Sequence, residues 1–76
     1  MRVMAKRTSI HGFWVNYEDN AYEGLKRLRD DLSREEAKVY FEQARLKGSA
    51  QFEDDYDRQY TLFYERGSSS FILSRR

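Results

Sequence analysis

Ser33-Arg-Glu-Glu36 follows Leu32 directly, and this junction constrains the chain more than any other feature. A serine three residues ahead of a glutamate is a capping box. The hydroxyl accepts from the amide of the glutamate, and the carboxylate reaches back to the serine's own amide. A helix therefore starts after Ser33, and Gly48 is placed to end it in a left-handed conformation. Ala37, Tyr40, Phe41 and Ala44 form its apolar stripe. Upstream, Ala21, Leu25, Leu28 and Leu32 recur at helical spacing, with Asp19 or Asn20 ready to cap the exposed amides. The second helix begins where the first stripe ends, so the pair is expected to fold back as a helical hairpin. Gly24 costs the first helix about 1 kcal/mol relative to alanine, an expense that a close approach to a sheet would justify.

Outside this hairpin the period changes to two. Residues 9–17, SIHGFWVNY, are rich in aromatic and β-branched side chains and read as one strand. Phe13, Val15 and Tyr17 share one side of it, and Ile10, Trp14 and Asn16 the other. After Gly48, AQFED begins a second strand, RQYTLFYER forms a longer third and SFILS a fourth. The expected fold class is α+β: a two-layer β-α-α-β-β-β arrangement with the helical hairpin on one face of an antiparallel sheet. The second strand is expected to run antiparallel to the first. At 76 residues the chain has the length of a single small domain, 1–76, and residues 1–7 are read as an N-terminal arm. Without cysteine it has neither disulfides nor thiolate metal sites, and an aromatic content of 16% supplies large rings to fill a small core.

Two helices cover only one face of such a sheet. By majority, the covered face takes Phe13, Val15, Phe52, Tyr60, Leu62, Tyr64, Phe71 and Leu73. The open face is left with Trp14, Gln51, Thr61, Phe63 and Ile72. An uncovered Trp, Phe and Ile on one surface exceed scattered surface hydrophobes. Three coverings are open at this level: the N-terminal arm or long arginine stems, a second copy of the chain, or another ligand. Trp14 and Phe63 would anchor a partner, Ile72 and Thr61 would fill between them, and Arg58 or Arg66 would form the rim. Val39 and Leu46, opposite the inner stripe of the second helix, read as isolated surface aliphatics or a narrow seam for a partner helix.

Catalytic and metal chemistry find little support. His11 is the only histidine and has no nucleophile pattern around it. The acidic run Glu53–Asp57 lacks the glycine and terminal glutamate spacing of a calcium loop and reads as a solvated turn. No phosphate-binding loop, dinucleotide fingerprint or zinc spacing is present, so neither an enzyme nor a cofactor is expected. Charged residues are 36% of the chain, yet the net charge is +1, which weighs against a duplex-DNA binder. The reading reached is a non-catalytic interaction or regulatory module, binding a protein or itself through the open face. The alternative is a single-stranded nucleic-acid binder stacking bases on Trp14 and Phe63 with an arginine rim. The RNA-recognition signature and its βαββαβ order are absent. No stretch approaches a membrane span and the N-terminus lacks a signal-peptide core, so a cytoplasmic location without a membrane partner is expected.

Overall fold

A computed structural model describes residues 6–76. It contains a five-stranded sheet: β1 (Lys6–Ile10), β2 (Phe13–Tyr17), β3 (Ser49–Glu53), β4 (Gln59–Glu65) and β5 (Ser70–Arg75). Two helices stand between β2 and β3. The first opens as a 3₁₀ turn at Asp19–Ala21, continues as α1 (Tyr22–Lys26) and ends in a wider π turn at Arg27–Asp31. The second, α2, spans Arg34–Lys47. The class is α+β, with the helices packed on the sheet as expected. None of the described helices is long and apolar enough to cross a membrane.

The capping box forms as the spacing predicts. The Ser33 hydroxyl accepts from the Glu36 amide at 3.2 Å, and the Ser33 amide donates to Glu36 Oε1 at 2.9 Å. Gly48 closes α2 with φ +96°, a conformation that costs glycine little.

The residues read as one strand, 9–17, form a hairpin instead. His11 and Gly12 have φ of +51° and +88°, as a two-residue primed turn requires at both positions. The turn resets the alternation. Ile10 pairs with Phe13 and lies buried on the helix side, not beside Trp14 as a continuous strand would place it. Lys6 and Arg7 are strand residues rather than part of an arm, while residues 1–5 of that expected arm lie outside the described residues.

The strand order is β1-β2-β5-β4-β3, antiparallel throughout except for the central β2–β5 pair. The helical connection crosses to the far edge, and two hairpins bring the chain back so that β5 enters beside β2. Two sign changes across β4 and β5 then make β3 run in the same sense as β2, against the antiparallel expectation.

One apolar cluster fills the space between the layers. Leu25 and Leu28 from the first helix meet Ala37, Phe41 and Ala44 from α2 over Val15, Tyr60, Leu62, Phe71 and Leu73. Phe13 stacks on Phe41 at 4.5 Å between centroids, and Phe71 presents its edge to Phe41 at 4.9 Å. Gly24 faces the Tyr60 ring so closely that a Cβ there would lie 2.6 Å from Tyr60 Cδ1. Only glycine lets α1 sit at this distance, which explains its presence within a helix.

Candidate binding face

The open face is assembled from cross-strand rows. Arg7, Asn16, Ile72, Phe63 and Ser49 pair in sequence across all five strands, with Ile72 in the middle on β5. Trp14 pairs with Ser9 in the adjacent row. One residue short of the Val15–Phe71 pair, it stands level with Ser70 and, through the Ser70–Glu65 pair, with Glu65. On the other side of the central row, Thr61 lies between Gln51 and Ser74.

The three large apolar side chains of this face remain accessible: Trp14 is 51% exposed, Phe63 44% and Ile72 37%. Of their neighbours on the same strands, Val15, Leu62, Phe71 and Leu73 are buried in the core, and Phe13 and Tyr64 are partly buried against it. Thr61 is only 5% exposed, sunk between its two cross-strand partners, and so contributes a floor rather than a contact point. The Arg7 guanidinium lies 4.7 Å from the Trp14 ring centroid, a cation–π arrangement worth about 0.5–1 kcal/mol at an exposed site. Sequence reading missed Arg7 because its place depends on the hairpin register.

The two arginines expected at the rim part company. Arg66 is exposed in the turn after β4. Arg58 shares the side of β4 that carries Tyr60 and is turned toward α1. Its Nε donates to Asp54 Oδ2 at 2.6 Å, and its guanidinium stands 3.7 Å from Glu23. The acidic run is likewise committed to structure. Asp54, with a side chain 5% exposed, accepts from the Tyr60 hydroxyl at 2.8 Å and from the Tyr56 and Arg58 amides at 2.8 and 3.0 Å. Burial works against its charge, but these donors outweigh it and hold the carboxyl well below the ordinary carboxylate range. Burial, then the neighbouring Asp54 carboxylate, push the Tyr60 hydroxyl up to about 12.

His11 also has a structural partner. Its Nε2 stands 3.2 Å from the Leu28 carbonyl oxygen. That carbonyl has lost its helical donors: the π turn directs the Leu32 amide to Arg27, and the capping box takes the Ser33 amide. The imidazole satisfies a carbonyl that the helix end leaves open. Val39 and Leu46 are both well exposed on α2, away from Ala37, Phe41 and Ala44.

Comparison of the chain with protein-family models, curated proteins and solved structures found no match.

Proposed function

We propose that this chain is a non-catalytic interaction module that binds a protein surface through the open face of its sheet. The observation that carries the reading is the central trio Trp14, Phe63 and Ile72, half accessible on a face whose charged side chains, Arg7, Glu53 and Glu65, stand on edge strands or at a strand end. Charged residues are depleted at the cores of protein interfaces and aromatic residues are enriched, which is the composition found here. Trp14 and Phe63 act as anchors, Ile72 fills between them and Arg7 braces the indole. Arg66 belongs to the rim, whereas Arg58 serves the fold. The bond between His11 and the Leu28 carbonyl gives the single histidine a structural role. The cytoplasm is the compartment we assign, in keeping with a cysteine-free chain.

The test is a photo-reactive phenylalanine analogue at position 63, compared with the same analogue at Val39, in cells producing the full chain. Cross-linking to a protein from position 63, lost on Trp14→Ala, supports the reading. Protein adducts arising only from position 39 overturn it. The Trp14→Ala/Phe63→Ala variant should keep its circular dichroism and melt within about 1 kcal/mol of the parent, since neither ring is in the core. Its global unfolding would make both rings structural.

One observation favours a second reading. An arginine over an exposed indole on a sheet is also how single-stranded nucleic acid is held, bases stacking on the ring and phosphates on the cation. Glu53 and Glu65 on the same face oppose it. Oligonucleotide titration at two salt concentrations decides: steeply salt-dependent binding lost on Trp14→Ala supports nucleic acid, and no binding at low salt removes it.

A further inference from the structure

We infer that the partner of the open face is a second copy of this chain, packed face to face about a two-fold axis that runs along β5. The inference rests on the interaction reading above and names its occupant.

The row pattern supplies the argument. Ile72 sits at the middle of a five-residue row with two residues on either side. A two-fold rotation about the strand direction leaves β5 over itself and exchanges β2 with β4 and β1 with β3. Ile72 then meets the partner's Ile72 at the axis, and Asn16 covers the partner's Phe63. Trp14, level with Glu65 on its own sheet, covers the partner's Glu65. Arg7 already lies over the Trp14 ring, so the partner's carboxylate arrives beside that guanidinium. Symmetry makes this pair twice. The other in-plane axis, across the strands, stacks β1 on β1 and brings Arg7 against its own copy. Opposite charge favours the first and like charge penalises the second.

Size sets the strength of the pairing. Five strands about 4.8 Å apart and five to seven residues long present an open face of about 24 by 20 Å, roughly 500 Å² per copy, the size of a weak, concentration-dependent interface. Two sheets packed this way keep their strands nearly aligned, as the facing sheets of β-sandwiches do. A net charge of +1 offers little repulsion between copies.

Sedimentation and light scattering across a concentration series test the inference. The parent is expected to shift from 9.2 kDa toward twice that mass. Arg7→Glu and Glu65→Arg should each weaken the dimer about tenfold, and their combination should restore it, because the two charges exchange places across the axis. Ile72→Arg, monitored by circular dichroism to remain folded, should leave a monomer. A parent that stays monomeric at millimolar concentration, a double charge reversal no better than either single one, or an Ile72→Arg dimer overturns the proposal. The interaction reading survives the first of these outcomes if position 63 still cross-links a different protein. A monomer whose Trp14 becomes quenchable only after removal of residues 1–5 overturns both, assigning the face to the chain's own N-terminus.

Discussion

Leu62 and Phe63 are adjacent on β4, carry side chains of comparable apolar character and have opposite fates. Leu62 is fully enclosed beneath the helices, whereas Phe63 is 44% exposed on the far side of the same strand. The covered face is tied down by features that act together. Gly24 admits the Tyr60 ring, the Tyr60 hydroxyl donates to Asp54, and Asp54 organises the turn between β3 and β4 and holds Arg58 against α1. Among the described residues the open face has cross-strand pairing and one cation–π contact. The contacts that fix the fold therefore gather on one side of the sheet.

The comparison is broken most severely on the covered side. Leu62→Ala should cost about 2–5 kcal/mol by leaving a cavity, a loss read as a lower midpoint in urea. Phe63→Ala in the same assay should change stability far less, and equal losses would abolish the distinction between the faces. Gly24→Ala comes next. Its new Cβ meets a fully buried ring, so overpacking should remove about 1–3 kcal/mol, or roughly 4–20 °C of Tm, although alanine is the better helix former.

Acid should then erode the covered face alone. Asp54 is held below its ordinary range in the folded state, so the stability it supplies is fully present above its unfolded value of about 3.9 and is lost as pH falls through that region. Asp54→Asn should start less stable at pH 7 and show a flatter decline between about pH 5 and 2. Tyr60 has the opposite sign. Its raised value makes stability fall as pH rises from about 10 toward 12, and Tyr60→Phe should flatten that alkaline limb. The smallest effect is expected at the hairpin tip. His11→Asn keeps a residue tolerant of positive φ but gives up the bond to Leu28, and should cost about 1 kcal/mol.

Much of this asymmetry was legible in the residues. The capping box, Gly48 and the two apolar stripes mark the helices because each rests on contacts within four residues. The two-residue alternation of β4 and β5 separates Tyr60, Leu62, Phe71 and Leu73 from Phe63 and Ile72 without any knowledge of strand order. The hairpin was not legible for a specific reason. Asn-Gly and Asp-Gly mark primed turns, whereas His-Gly between Ile10 and Phe13 continues a plausible strand. The role of Arg58 was hidden in a similar way. Its charge suits a rim, and only the turn at Asp54 and the proximity of Glu23 turn it toward the helices.

Local chemistry alone determined that this chain makes two helices, the second of them capped, that they shield one side of a sheet, and that an indole, a phenyl ring and an isoleucine remain on the other. Those facts follow from periodicity and short-range hydrogen bonds. Tertiary structure decided the parallel entry of β5 beside β2, the fifth strand, and the meeting of Arg7 with Trp14. Each of these joins residues distant in sequence or hinges on a register that one turn resets, and pairing between strands is chosen by burial of the whole face rather than by any single segment.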